Sequence, residues 1–403
     1  MNLREHINQN IWYARWIGFS ATFIGIGISR MSFTPLAATA VELDIFPKEA
    51  TTVIGALLML GYATGAIIAG PMIKRIGILP SIRVCFVIGL ICQIVELIDL
   101  TVSTWQVTRF MYNVIGGALM VTGPVLAVSK GSDQQKSKTP LWSFVGIGIG
   151  AMVSASFMLL PLDLFQQQQL LTIVVFLVVG FNLFLLSYIT YEQNVKASKA
   201  PLPKAAICVI IGYAMAAACF VPGSVYLSDY AANELLWGSK EGSTLWLFFG
   251  IGGLLSTPLL SRIYPKHLNG SALTVLFTAK LTALAIFAFY PNKMAFYIAA
   301  LTSGFCLPNI VLLTSNWLRE NLSQEQFSSA WQVATMCFSS GQAVSALILA
   351  LIFDSSEIYQ VLFVVALIFV AVGLSMVNMR FLFPINNHQK QVPPDGTMKS
   401  ALN

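Results

Sequence analysis

The chain is 403 residues long, 56% hydrophobic and only 10% charged, where a soluble domain carries about 25% charged residues. That composition excludes an ordinary soluble enzyme and describes an integral membrane protein, in which the unit of length is an apolar span of about 20 residues. The net charge of +6 gathers in short loops, and no basic stretch alternates with aromatics, so it speaks for membrane topology and against nucleic-acid binding.

The first apolar run, residues 15–40, is too long for a cleaved leader and carries Arg30, so it is expected to stay as a helix. Arg30 lies about ten residues from the nearer boundary, roughly 15 Å at helical rise. An arginine that deep must face the bundle interior or a watery cavity and find a partner there. It is either a ligand-binding group or a lock paired to the carbonyls of a neighbouring helix. On a regular helix Gly27 and Thr34 share its face.

Further runs follow at 52–71, 81–101, 105–129, 140–160 and 170–191, making six spans in the first half. A polar linker at 192–204, with Pro201 and Pro203, interrupts the pattern. Six more runs follow at 205–228, 244–263, 271–290, 294–317, 327–353 and 358–383, and a polar tail at 384–403 is expected to be disordered. The chain therefore divides into bundles at 1–191 and 205–383. The motif Pro71-Met-Ile-Lys-Arg-Ile76 after the second span is echoed by Pro258-Leu-Leu-Ser-Arg-Ile263 after the eighth, the mark of an internal repeat. Two parallel six-helix repeats describe a twelve-helix, all-α transporter of the major facilitator type, with its substrate site near the midplane.

Loop charges set the orientation. Lys74, Arg75, Lys130, Lys196, Lys204 and Arg262 fall on one side, and Glu42, Asp44, Asp163, Glu234, Glu241 and Asp354 on the other. The basic side is cytoplasmic by the positive-inside rule, which places both termini in the cytoplasm of a bacterial inner-membrane protein. The six cysteines all lie in apolar runs without a CxxC, and read as free, buried thiols. His6, His267 and His388 lie outside the spans, so no histidine relays protons at depth. No metal or cofactor is expected.

Gly25-Ile-Gly-Ile-Ser-Arg-Met-Ser-Phe-Thr-Pro-Leu36 resembles the first-helix signature of the YbfB/YjiJ branch of the major facilitator superfamily. Arg109-Phe-Met-Tyr-Asn-Val-Ile-Gly-Gly117, Val145-Gly-Ile-Gly-Ile-Gly150 and Thr335-Met-Cys-Phe-Ser-Ser-Gly-Gln342 are similar to its fourth, fifth and eleventh helices. The resemblance runs over nearly the whole chain and implies the twelve-helix fold and secondary transport. One departure stands out: Gly70-Pro-Met-Ile-Lys-Arg-Ile-Gly77 has Lys74 where the superfamily's loop usually carries an acid.

Several polar groups at depth are candidates for the site. Arg109 and Asn113 lie on the fourth span, and a hairpin about Ser103 brings Glu96 level with Arg109, either as a structural ion pair or for gating or substrate attraction. On the eleventh span Ser328, Gln332, Thr335, Ser339, Gln342 and Ser345 recur every three or four residues, a stripe that must face protein or water. Tyr213, Tyr226 and Asn309 are further donors. Gly61, Gly65, Gly146 and Gly150 serve close helix packing, and the Gly-Ile-Gly-Ile-Gly run is no nucleotide fingerprint because no strand precedes it. Lys280, central in the ninth run, calls for a partner on a neighbouring helix or a neutral amine, with ligand binding as the alternative.

The substrate site is therefore assigned to Arg30, Thr34, Arg109, Asn113, Tyr213, Tyr226, Asn309, Gln332, Thr335 and Gln342, and coupling or gating to Glu96, Asp229, Lys74 and Arg75. With Arg30 and Arg109 on the helices expected to line the cavity and no acid deeper than Asp229, the expected cargo is a small organic anion, carboxylate-bearing, siderophore-like acids included. Protons are the candidate coupling ion, and the unit is a monomer in the lipid bilayer. An exporter of lipophilic compounds and a non-transporting sensor are the alternatives. A membrane enzyme would need a convergent set of His, Asp, Glu or Cys at depth, which the sequence lacks.

Overall fold

In the computed structural model, residues 5–7, 10–129, 133–191, 202–263 and 269–383 are described. Twelve long helices follow one another: α1 Ile11–Glu42, α2 Lys48–Ile76, α3 Ile78–Ile98, α4 Val102–Ser129, α5 Asp133–Met158, α6 Leu164–Leu186, α7 Lys204–Val225, α8 Ser239–Ile263, α9 Asn269–Phe289, α10 Lys293–Asn321, α11 Gln324–Ser356 and α12 Tyr359–Met379. Ten of the twelve are long and apolar enough to cross a membrane; α5, whose apolar part is Trp142–Met158, and α8 complete the set. The tail at 384–403, and the linker apart from 202–204, lie outside the described residues; α7 begins at the linker's last position, Lys204.

Local sequence places the ends. Asp163 caps α6 and Ser323 caps α11, each in a reciprocal box with the glutamine three residues on, which satisfies backbone N–H groups that a helix start leaves free. Gly77 closes α2 at φ 85°, a backbone conformation that costs glycine nothing.

The packing repeats. α2 lies on α4 as α8 lies on α10, α3 on α4 and α6 as α9 on α10 and α12, and α1 on α4 and α5 as α7 on α10 and α11. Two main seams join the halves, α2 against α11 and α5 against α8. Backbone approach at α1 and α5 depends on glycine: a Cβ on Gly27 would stand 2.8 Å from the Gly146 carbonyl oxygen and 2.9 Å from the Gly150 Cα. The outer faces carry exposed apolar side chains such as Phe176, Leu177, Ile298 and Ile368. Such a belt suits hydrocarbon as solvent.

Candidate functional site

The site starts from a defect in α1. Residues Phe23–Ile28 form a π-helical segment, and Ser29 and Met31 donate to carbonyls five residues back, Ile24 and Ile26. Pro35 has no N–H for the Met31 carbonyl, and the Phe33 N–H goes to Arg30 instead of Ser29. Neighbours satisfy the two freed carbonyls. The Trp246 indole donates to Met31 O at 2.7 Å; Arg109 and Asn113 donate to Ser29 O at 2.9 and 3.3 Å. Arg30 sits inside this break, so the regular-helix expectation that Gly27 and Thr34 share its face does not hold. Gly27 packs on α5, and the Thr34 hydroxyl donates across to the Ser224 carbonyl of α7.

Arg30 is 2% exposed and reaches from the first half into the second. Its Nη1 donates to Gln342 Oε1 at 3.0 Å and its Nη2 to Ser224 Oγ at 3.2 Å. The guanidinium lies 5.9 Å from the Tyr62 ring centre and 5.2 Å from that of Phe220, within cation–π range. Its polar partners are neutral side chains, not the helix carbonyls that a pure lock would use. Nε has no hydrogen-bond partner among the described residues.

Arg30 and Gln342 stand at the head of a cavity of about 480 Å³ that extends to Lys74, Ile78 and Tyr191 at the basic end. Of the expected substrate residues, Arg30, Tyr213, Gln332, Thr335 and Gln342 line it, as does Lys74. The α11 stripe thus divides its work. Gln332, Thr335 and Gln342 face the cavity, whereas Ser345 donates to the Ala218 carbonyl of α7 at 3.0 Å; the Ser328 side chain lies outside the described residues. Sequence reasoning missed the aromatic wall: Tyr62, Phe144, Phe220, Trp331 and Phe338. Among the described residues, Arg30 and Lys74 are the charged residues of the lining, and no acid belongs to it.

The remaining candidates sit elsewhere. Arg109 pairs with Glu96 at 2.8 Å, both fully buried, and Thr108 donates to the same carboxylate. Arg109 also donates to Ser32 Oγ at 3.0 Å. With Asn113 it clamps the break in α1 and does not line the cavity. Asn309 donates to the Ser256 and Phe305 carbonyls, joining α10 to α8. Arg75 is exposed at the end of α2. Five of the cysteines are buried, but Cys337 is partly exposed. The Lys280 amine meets no carboxylate or carbonyl; it lies 5.5 Å from the Phe220 ring centre without a hydrogen-bond partner among the described residues.

At the acidic end the halves are sealed together. α7 breaks after Val225, then continues as Leu227–Asp229 and a π-helical turn, Tyr230–Glu234. That geometry turns Asp229 inward. Its buried carboxylate accepts from Tyr359 and Asn233, and from Thr51 of α2 at 3.1 Å. Tyr226 stacks on Tyr359, ring centres 5.7 Å apart. Around them Glu234 pairs with Lys48 at 3.7 Å, Asn233 donates to the Ala38 carbonyl, and Glu42 accepts from the Ser239 N–H.

A family model described as the uncharacterised MFS-type transporter YbfB matches residues 22–377. The chain belongs to this family of transporters. Its fold is similar to the crystal structure of the human organic anion transporter MFSD10 (TETRAN), with a TM-score of 0.65 at 11% identity, covering 90% of this chain and 99% of that one. An identity so low shows a common fold, the twelve-helix major facilitator architecture. No curated protein sequence matches.

Proposed function

We propose that this MFS-type transporter moves a small organic anion across the bacterial inner membrane by alternating access, and that the structure is the state open to the cytoplasm. The observation that carries the reading is Arg30, buried at the head of a 480 Å³ cavity whose lining, among the described residues, holds two basic residues and no acid. A guanidinium in low dielectric with neutral partners attracts an anion, and its planar fork matches a carboxylate with two parallel hydrogen bonds. A pocket of this volume takes a drug-sized molecule, siderophore-like acids included. The aromatic wall favours a cargo with an apolar or aromatic body, which also supports the second reading, an exporter of lipophilic compounds; the charge of the ligand separates the two.

Asp229 is the acid placed for coupling or gating, because its bonds span both halves at the sealed end. Glu96 is committed to Arg109 and holds the site's shape. The test is binding of benzoate and hexanoate to purified protein, read by thermal shift, since a ligand that binds the folded state raises its stability. Loss of a desolvated charged contact costs about 2–5 kcal/mol, so Arg30→Ala should weaken binding by about 30-fold or more. Arg30→Lys should restore only part of it. Unchanged anion binding by Arg30→Ala, or a preference for cations, sinks the reading.

A further inference from the structure

Behind the cavity wall lies a second, smaller space. It has a volume of about 10 Å³ and is lined by Lys280, Ser303 and Cys306 together with Phe220, Leu307 and Phe338. The last three also line the main cavity, so they are the partition between the two spaces. Two residues of this lining carry a side-chain polar atom without any hydrogen-bond partner among the described residues, Lys280 Nζ and Ser303 Oγ. Lys280 is 2% exposed and Ser303 fully buried. Buried polar groups are almost always satisfied. Two unpartnered polar groups on one lining leave the lysine's donors in need of an acceptor that the described residues do not supply. An ammonium has three donors and no acceptor, and a carboxylate oxygen supplies both the acceptor and the opposite charge.

The void connects to the site already described through one side chain. Arg30 Cζ and Lys280 Nζ lie 5.2 and 5.5 Å from the centre of the same Phe220 ring. Their separation cannot exceed the sum of those distances, which is within reach of a short dicarboxylate. We propose that the void is a second anion subsite, in which Lys280 and Ser303 receive a second carboxylate of the cargo while Arg30 holds the first, so that the substrate class is the dianions. The proposal rests on the anion reading of Arg30. As it stands the void has room for about one water molecule, so entry of a carboxylate requires Phe220 or Phe338 to change rotamer. Phe220 is then a movable partition that dianions displace and monoanions leave in place.

The experiment compares matched pairs, benzoate with terephthalate and hexanoate with adipate, titrated against the purified full chain. Wild type is expected to bind each dianion at least about tenfold more tightly than its monoanion, the range of a hydrogen-bonded charged contact. Lys280→Met, which keeps length and apolar bulk and removes a buried charge, should erase that advantage and leave the monoanion affinities unchanged. Ser303→Ala should reduce the advantage in part. Equal affinities within each pair, the outcome for a void that holds only a water, overturn the proposal. So does an equal loss for both members in Lys280→Met, which would make the lysine structural. Stabilisation of wild type by chloride over gluconate that Lys280→Met abolishes, with mono- and dianions binding equally, assigns the void to a free anion and overturns it too. If none of the four acids binds wild type, the reading of Arg30 has failed, and this proposal with it.

Discussion

Glu96→Gln removes the only carboxylate paired with Arg109 among the described residues and leaves that fully buried guanidinium with Ser29 O and Ser32 Oγ as partners. Breaking a buried pair by removing one member costs about 3–5 kcal/mol, because a charge stays desolvated without compensation. The retained amide and the two neighbouring oxygens place this variant near the lower bound. Replacing the whole pair, as in Glu96→Leu with Arg109→Met, removes both charges and should return stability to within about 1–2 kcal/mol of wild type. Function should not return with it. Arg109 clamps the carbonyl next to Arg30, and without it only Asn113 holds Ser29 O, at 3.3 Å. Unfolding in detergent is the assay for stability, and benzoate-induced thermal shift the assay for the site. The double variant is expected to be stable and to bind weakly. A single variant as stable as wild type, or a double variant that binds benzoate normally, refutes the reasoning.

Asp229→Ala deprives Tyr359 and Asn233 of their shared acceptor, and the acidic-end seal should loosen. A cysteine at Met31, in a background freed of native cysteines, should then react with an impermeant thiol reagent from outside; continued protection would remove Asp229 from the gate. Gly27→Val forces a Cβ to 2.8 Å from the Gly146 carbonyl oxygen and should destabilise the protein by about 1–3 kcal/mol, the range for overpacking, measured as a fall in unfolding midpoint. For topology, a cysteine at Ser355 should be labelled on intact cells and one at Ser187 spared; the reverse pattern inverts the assigned orientation.

The spans were legible because in lipid a helix must hide its backbone, so apolar runs near 20 residues have one solution. Arg30 was legible for the same reason, since a charge in such a run cannot be idle. The Glu96–Arg109 pair followed from folding a hairpin about Ser103. The course of α1 through Arg30 did not, although Pro35 carried the signal: a proline frees the carbonyl four residues back, here that of Met31, and a helix so interrupted need not keep its faces in register. Asn113, Tyr226 and Asn309 were read as donors to cargo because sequence shows polarity and depth but not azimuth. Tyr62 and Phe220 escaped for the converse reason, since an aromatic that lines a cavity has the same periodicity as one that fills a core.

The two seams between the halves differ in kind. Where α5 meets α8, a Cβ on Gly148 would lie 2.6 Å from the Leu254 nitrogen and one on Gly250 2.8 Å from the Met152 nitrogen, so main chain rests directly on main chain. Such a line has little side-chain relief to disengage. It can act as a fulcrum about which one bundle tilts at small cost, with the lever arm falling on the opposite flank. There α2 and α11 contribute Tyr62, Trp331, Met336 and Gln342 to the cavity, bulky groups that would have to part and re-engage in each cycle of the alternating access proposed above. Most of the resistance to tilting then lies along α2 and α11, and shortening side chains on that flank should alter turnover more than equal changes beside the glycines.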